Sequence, residues 1–525
     1  MKKAYDVIII GGGVVGCAIA WFLSHFDLKI LLLERELDVC CGISKANTGI
    51  IHSRSYLTPG TVKGELHQRA LSWFPKIEKE LDFHPSVTGA LTVAFNQDDL
   101  NYLKSLKNIG KYDDAEILSP QESLLLEPNL SDRIVATYYD PRAAVASPFR
   151  LTLAFAEGAA LNGVEFHFDS SVEGFDHQGK KIIVHTPNEN YEASYVVNAA
   201  GLSSAKIAKK SGDQIPVFST FKGEYFLLDK ESQGLVKKIL YPVPNSLSKG
   251  ILVSPTPEGN ILAGPNFESS CADDTSTTSQ GLNEVRAGAQ KLVPRFPFNQ
   301  TIQIFAGIRP TLPERDFLIF VSKKHPGLIH LCGIESPGLT ASPGIAEYVG
   351  ELLIQQGLSL KEKDQIIFRK AFPVFHDCDW KKREELIAQD PDWGQIVCRC
   401  EEVTLAEMTH DGRARKQRRR GCGERLSDKP WSWSDVRTKE RGARLARPAH
   451  PHHVHQLVEL HVLYRERTAR AKKCLHLVHQ DEHTGCPTGL HQRPMELGRR
   501  GVEPALAEDE FKQHRRVFAG MAAQM

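Results

Sequence analysis

The sequence predicts an α/β protein: a Rossmann-like nucleotide-binding domain carrying an inserted antiparallel-sheet (α+β) substrate domain, followed by an aberrant C-terminal region. Three observations predict it. An apolar run at residues 5–10 leads into Gly11-Gly12-Gly13-Val14-Val15-Gly16, and a second apolar run at 29–33 ends on Glu34. Residues 215–305 alternate apolar and polar positions, the two-residue period of a half-buried sheet. Residue usage then changes abruptly near position 408. The last 117 positions hold no Ile and no Asn, and 18 Arg against 6 Lys, whereas residues 1–408 hold 13 Arg against 28 Lys.

Strand, glycine turn, helix, strand and acid fit within the roughly 30 residues of a dinucleotide-binding unit. Gly11 permits the tight turn, Gly13 lets backbone approach a pyrophosphate, and Gly16 lets the helix pack close to the sheet. Val15 opens that helix, whose N-terminal N–H groups and positive dipole end suit phosphate. Glu34 ends the second strand, where a carboxylate accepts from ribose hydroxyls, with Arg35 beside it. An acid there disfavours a 2′-phosphate, so the nucleotide is FAD or NAD rather than NADP.

Residues 44–60 are polar and turn-rich, as suits a loop at the carboxyl edge of a parallel sheet. Leu66, Ala70, Phe74 and Ile77 recur at helical spacing in a helix over 61–83. Strands follow at 88–95 and 135–140, a helix at 149–162, and a small meander at 164–167, 171–175 and 182–185. Residues 195–201 form a buried strand ending in a small-residue turn. Residues 302–308 and 328–333 return to strand, and 345–356 form a helix with Ala346, Val349, Leu352 and Leu353 inward. The nucleotide-binding domain is then discontinuous (1–75, 145–214 and 306–365), with the substrate domain at 76–144 and 215–305. A linker or helical region spans 366–394, a further domain starts at 395–408, and 409–525 form a basic tail.

Composition narrows the function classes. The net charge of +1 does not announce a nucleic-acid partner, and no apolar stretch of about 20 residues exists to span a membrane. The apolar run after the two N-terminal lysines breaks at Gly11, so it reads as a strand rather than a signal peptide, and the protein as cytoplasmic. Eleven scattered cysteines, an odd number, fit a reducing compartment. The tail carries 24 basic and 14 acidic residues and 11 of the 21 histidines. Three readings of it stay open: a disordered basic extension, a separately acquired domain, or a stretch translated out of its original frame.

Five motifs stand in one order: the glycine turn; Gly49-Ile50-Ile51-His52; Val196-Val197-Asn198-Ala199-Ala200-Gly201; Ala306-Gly307-Ile308-Arg309-Pro310; and Gly333-Ile334-Glu335-Ser336-Pro337-Gly338-Leu339-Thr340. Together, over about residues 4–408, they resemble the D-amino-acid-oxidase-like FAD-dependent oxidoreductases. Within these the chain looks most like glycerol-3-phosphate dehydrogenases of the anaerobic, iron–sulfur-linked type, and next like L-2-hydroxyglutarate dehydrogenases. An amine or amino-acid oxidase on the same fold is the alternative chemistry. The resemblance implies FAD, with Gly11, Gly13 and Gly16 at the pyrophosphate and Glu34 at the ribose. It puts Ser44, Lys45, Thr48 and Gly49 in the loop passing the diphosphate and ribityl chain, and Val172 against adenine. Ala200 and Gly201 form the turn beside the pyrophosphate, and Gly338, Leu339 and Thr340 the loop over the pyrimidine edge of the flavin.

The resemblance also implies a small anionic substrate, hydride transfer to flavin N5, and an electron acceptor: a partner flavoprotein, an iron–sulfur protein or quinone. Peripheral contact with a membrane is compatible with that role. His52 is the residue expected to take or polarise the hydroxyl proton. Arg309, a bidentate guanidinium beside a proline at a strand end, is expected to clamp a carboxylate or phosphate. Arg54, Tyr56, Lys222 and Tyr225 are weaker candidates for the anionic end of the substrate, with surface solvation the plainer reading of Lys222. Two departures from the family pattern stand out. The family's His-Gly-Gly-type turn with a following arginine and tyrosine is His52-Ser53-Arg54-Ser55-Tyr56 here, and Ser336-Pro337 stands where the family often has a lysine.

Ile396-Val397-Cys398-Arg399-Cys400-Glu401-Glu402-Val403-Thr404 resembles the start of a bacterioferritin-associated-ferredoxin-like [2Fe–2S] domain. Thiolates two positions apart can meet one iron. The family's second cysteine pair has no counterpart after Cys398 and Cys400, since only Cys422, Cys474 and Cys486 follow. The motif is incomplete, and no properly formed cluster is expected.

Overall fold

The computed structural model describes residues 4–53, 60–109, 114–179, 181–244, 249–271, 274–399 and 402–409. The expectations for Arg54, Tyr56, Cys400 and the basic tail lie outside these residues.

The apolar run opening the chain becomes the strand Ala4–Ile10, which pairs in parallel with Ile30–Leu33 on one side and Asn190–Asn198 on the other. Glu165–His167 extends the sheet beyond Ile30–Leu33. On the far side, Asn190–Asn198 pairs antiparallel with Lys181–His185 along its first half and parallel with Leu328–Cys332 at its end. Gly174–Gln178 and Leu318–Val321 complete eight strands. His167, Leu33, Ile10, Asn198 and His330 stand in one row, so the five parallel strands deliver their carboxyl ends to a single edge.

Both faces of this sheet are covered, which is why its strands read as unbroken apolar runs. Val7, Ile9 and Leu32 pack against Ile19, Trp21, Phe155, Ile345 and Val349. Those partners come from the helices Val14–Leu23, Pro148–Leu161 and Gly338–Gln355. Ile8, Ile10, Leu31 and Leu33 face the opposite way, onto Val172, Val184 and Val196.

The second sheet has nine strands. Its path runs Glu268–Ser269, Ser219–Leu228, Ile261–Gly264, Leu252–Pro255, Ile239–Pro242, Ala90–Ala94, Ala136–Asp140 and Glu116–Leu118, with Thr301–Thr311 paired to Ser219–Leu228. The expected antiparallel pattern holds except where Ile239–Pro242 runs parallel to Ala90–Ala94. The helix Ser279–Leu292 covers this sheet, sending Val285, Ala289 and Leu292 among Leu91, Val93 and Val253. A small sheet of Ile50–Ile51, Ala144–Val145 and Ser86–Val87 joins the two parts.

The structure corrects four expectations. The expected domain boundary at 306 cuts Thr301–Thr311, whose whole length pairs in the second sheet. The expected helix at 61–83 is two, Val62–Leu71 and Phe74–Leu81, because Pro75 has no N–H to bond the Leu71 carbonyl. Residues 170–173 are irregular rather than strand, and the meander resumes at Gly174–Gln178. The helix expected at 345–356 starts at Gly338. It tolerates Pro343 because the Ser342 hydroxyl donates to the Leu339 carbonyl (2.9 Å), which the proline leaves without its amide donor. Within 366–394, expected as a linker or helical region, the chain forms the helix Trp380–Gln389. Phe375, Leu386 and Trp393 share one small core with Ala406, joining this region to the hairpin Ile396–Cys398 and Val403–Thr404.

No helix among the described residues is long and apolar enough to cross a membrane. The helices Val62–Leu71 and Gly338–Gln355 cross at Gly344, where an added Cβ would overlap the Leu66 carbonyl oxygen. We predict that Gly344→Ala lowers stability by about 1–3 kcal/mol through overpacking of this crossing, read from denaturant unfolding; an unchanged midpoint would contradict the close approach.

Candidate active site

One cavity of about 650 Å³ runs from the carboxyl edge of the first sheet to the face of the second. At the first sheet its wall begins with the glycine turn. Gly11 adopts φ +109°, and a Cβ there would lie 2.6 Å from the Ala199 carbonyl oxygen, so only glycine clears the neighbouring strand. Gly16 stands behind the turn, where a Cβ would overlap the Gly11 carbonyl. The Val14 amide, in the first helical turn, donates to Ser44 Oγ at 3.0 Å. Glu34 accepts from the Gly12 amide (2.6 Å) and the Glu36 amide (2.9 Å). Burial pushes its carboxyl above the ordinary range, and those two N–H bonds oppose the rise.

Gly11, Gly13, Val15, Glu34, Arg35, Ser44, Thr48, Val172, Ala200, Gly201, Gly338 and Leu339 all line this cavity. The structure therefore gathers residues expected from scattered segments of sequence into one wall. Lys45, Gly49 and Thr340 do not line it. Gly49 serves a different need: at φ +67° its backbone pairs with Ala146, and a Cβ would overlap the Ala146 carbonyl. Gly338, Leu339 and Thr340 are the first turn of a helix rather than a loop. Thr340 turns inward, its hydroxyl accepting from the His52 amide (3.0 Å) and donating to the Ile50 carbonyl (3.2 Å).

The far end of the cavity is built on the paired strands Ser219–Leu228 and Thr301–Thr311. Register places Phe221 opposite Arg309, Gly223 opposite Gly307 and Tyr225 opposite Phe305. The paired glycines make the room: a Cβ on Gly223 would lie 2.7 Å from Arg309 Nη2, and one on Gly307 would overlap the Ala46 carbonyl. Tyr225 stacks on Phe305 with ring centroids 4.7 Å apart and hydrogen-bonds the Arg309 guanidinium. Strand alternation sends Lys222 to the other face. Both sequence readings of Lys222 are thereby corrected, because it is 2% exposed. Its Nζ lies 3.2 Å from Asp274 and 3.6 Å from Glu224, so it is neither a substrate ligand nor solvated.

His52 and Arg309 both line the cavity, with Tyr241, Lys63, Lys249, Arg315 and Glu335, none of which the sequence reading singled out. Tyr241 Oη lies 3.4 Å from His52 Nδ1. Burial holds the His52 imidazole well below the ordinary histidine range, and Lys249 adds to the effect. Lys249 donates to Ser336 Oγ at 3.2 Å, so an ammonium from a distant turn reaches the position where the family often has a lysine. Its pKa is lowered to about 8 by desolvation, with Arg309 and Lys63 pushing the same way and Glu335 opposing. Several cations held around a desolvated wall make an anion receptor. Lys249 was missed because a lysine in a polar turn reads as a solvated residue; only its tertiary contact with Ser336 marks it.

In the C-terminal hairpin, Cys398 is buried. No group of three or more His, Cys, Asp or Glu side chains among the described residues is arranged to hold a metal.

Comparison with known proteins agrees with this geometry. Residues 6–352 match the family model described as DAO, FAD dependent oxidoreductase. A glycerol 3-phosphate dehydrogenase of Caloramator mitchellensis is 36% identical over 410 residues, covering 77% of this chain and 85% of that protein. A glycerol 3-phosphate oxidase of Mycoplasma genitalium is 32% identical over 377 residues, covering 69% and 97%. Among solved structures, the dithionite-reduced L-α-glycerophosphate oxidase of Mycoplasma pneumoniae with FAD bound is similar at a TM-score of 0.67. It is 28% identical, over 71% of this chain and 99% of that one.

His52 and the histidine behind it both have lowered proton affinity, that of His67 falling to about 4. We predict that neither titrates between about pH 5 and 8, where an exposed histidine does, as read from imidazole ¹⁵N shifts. A midpoint near the ordinary histidine value for either would contradict the burial.

Proposed function

The chain belongs to the DAO family of FAD dependent oxidoreductases, and from that premise we propose that it oxidises glycerol 3-phosphate at C2 to dihydroxyacetone phosphate. The observation that carries the substrate is the placement of Lys249 and Arg309 on the wall that also holds His52. Two cations that raise each other's electrostatic cost stay together at a desolvated site when an anion belongs between them.

The cofactor is FAD, and the residues present fit it. Gly11 lets the turn pass close against the Ala199 carbonyl, where any Cβ would collide, and the helix beginning at Val14 presents its N-terminal end to the cavity. On this reading Gly11, Gly13, Ser44, Thr48, Ala200 and Gly201 hold the diphosphate, Glu34, Arg35 and Val172 the adenosine end, and Gly338 and Leu339 the flavin end. When bound, FAD supplies the acceptor for the hydride that leaves C2.

The chain's own residues do the rest. Arg309 offers a planar fork for two phosphate oxygens, and Lys249 a point charge for a third. That clamp fixes C2 relative to His52. With its Nδ1–H donated to the Tyr241 oxygen, His52 presents the Nε2 lone pair to the C2 hydroxyl and takes its proton as the carbonyl forms. Low proton affinity keeps the imidazole neutral, and so basic, in the resting enzyme. The electrons then pass to an acceptor: a partner flavoprotein, an iron–sulfur protein or quinone, or oxygen as in the oxidase relatives' names. The nucleotide domain, with its third segment starting after the strand Thr301–Thr311, would thus bind FAD, and that strand reaches the cavity from the substrate sheet.

The first test is anaerobic titration of the purified protein. Glycerol 3-phosphate should bleach the visible flavin band. Bleaching by L-2-hydroxyglutarate alone would replace the phosphate reading with a dicarboxylate, and bleaching by neither would overturn it.

Two predictions follow from the charges. Lys249 is protonated below about pH 8 and loses its charge as the pH rises through that value. kcat/KM should therefore fall on the alkaline side of about 8 in the wild type, and Lys249→Arg should remove that fall, because a guanidinium stays charged. Arg309→Ala should weaken substrate binding by about 10- to 150-fold, the worth of a hydrogen bond to a charged group. Unchanged steady-state constants for Arg309→Ala would remove it from the clamp.

A further inference from the structure

His52 occupies a stretch of backbone with no sheet partner of its own. The short strand Ile50–Ile51 ends just before it, and residues 52 and 53 belong to no regular element. Both backbone groups of His52 are nevertheless held, each by a side chain from a different helix. Its amide donates to Thr340 Oγ1 on Gly338–Gln355. Its carbonyl accepts from His67 Nε2, at 2.9 Å, on Val62–Leu71.

His67 is an odd choice for its position. It is fully buried beside Leu66 and Ala70, on the face that packs against Gly338–Gln355. A leucine would fill such a place without polar cost. The histidine leaves its Nδ1 buried with no hydrogen-bond partner among the described residues. An unsatisfied buried nitrogen costs about 1–3 kcal/mol and calls for an explanation. The other nitrogen supplies one. Donation from Nε2 fixes the tautomer, and the two rings meet edge to face with centroids 6.5 Å apart.

The helix that carries His67 is itself anchored to the substrate side. Asp316 accepts from the Val62 and Lys63 amides, both at 2.8 Å, and so caps the helix from the loop that follows Thr301–Thr311. Lys63, from the same first turn, lines the cavity beside Glu335. One helix thus spans the anion-binding end and the backbone of the proposed base.

We propose that His67 is a positioning residue: its Nε2–H holds the His52 carbonyl, and with it the imidazole, at the reach needed to take the substrate's proton. The proposal rests on the reading of His52 as the base. His67 itself touches neither substrate nor cofactor. Misplacement of a reacting group by about 1 Å costs on the order of a hundredfold in rate, so its loss acts on the chemical step and not on binding.

The test is anaerobic stopped-flow reduction of the flavin in three variants of the full-length holoenzyme. His67→Gln keeps an N–H donor near the Nε2 position, His67→Asn is too short to reach, and His67→Leu has none. The limiting rate of flavin reduction should fall about 10- to 100-fold in the Leu and Asn variants, with an unchanged substrate dissociation constant, and Gln should restore most of it. Wild-type rates in Leu or Asn would overturn the proposal, as would a Gln variant as slow as the other two. If Leu does not retain flavin, the Asn and Gln pair still decides. The reducing compound is whichever of glycerol 3-phosphate and L-2-hydroxyglutarate bleaches the wild type. A wrong substrate reading therefore changes the compound that works, whereas a wrong role for His67 changes the ranking of the variants.

Discussion

Parallel pairing of five strands in one register, with His167, Leu33, Ile10, Asn198 and His330 in a row, is the constraint on which the rest of the molecule depends. Parallel strands send every following segment out of the same edge, so the glycine turn, Glu34, the Ala200–Gly201 turn and the run from Ile334 to Leu339 meet there without further instruction. The row also sets one of the close contacts in the site, the passage of Gly11 past the Ala199 carbonyl. Beneath it, Asn198 donates to His330 Nδ1 and accepts from the Ala200 amide, and His330 bonds Asp213 through its other nitrogen. A buried polar network satisfied in this way fixes the turn above it as firmly as apolar packing would.

The second sheet contributes by parity. Two extended strands in fixed register give one face to the cavity and the other to the interior of their own domain. On the cavity face stand Tyr225 and Arg309, separated by glycines; on the other, Lys222 pairs with the buried Glu224 and with the half-exposed Asp274. Glu224 further accepts from the Thr278 amide and hydroxyl, tying the start of Ser279–Leu292 to the back of the strand that carries Tyr225. The charged residues behind the wall hold its shape, and those in front face the cavity.

What was legible in the sequence was what is local. The glycine turn, the second strand and Glu34 lie within one short unit, and geometry alone gives each glycine its task. Arg309 was legible because it sits at a strand end beside proline. Lys222 was misread because a strand puts it on the face opposite Tyr225, and nothing local says that this second face is buried as well. Lys249, Tyr241 and Glu335 were not legible, since each becomes part of the site only through contacts made across the fold. The start of the helix Gly338–Gln355 was hidden for a chemical reason: Pro343 reads as a breaker unless one knows that Ser342 supplies the missing donor. His67 looked like an ordinary core position of an amphipathic helix, and nothing nearby in sequence says that its ring nitrogen meets a carbonyl fifteen residues earlier.

The two ends of the cavity are built on different sheets, and the paired glycines at 223 and 307 are where the second one makes room. Inheritance can act on the two ends separately. Replacing Tyr241, Lys249 or Arg309 alters the chemistry of one wall and leaves the row of parallel strand ends untouched. A lineage starting from such a chain can change its diet by a few substitutions while passing on its cofactor site unaltered.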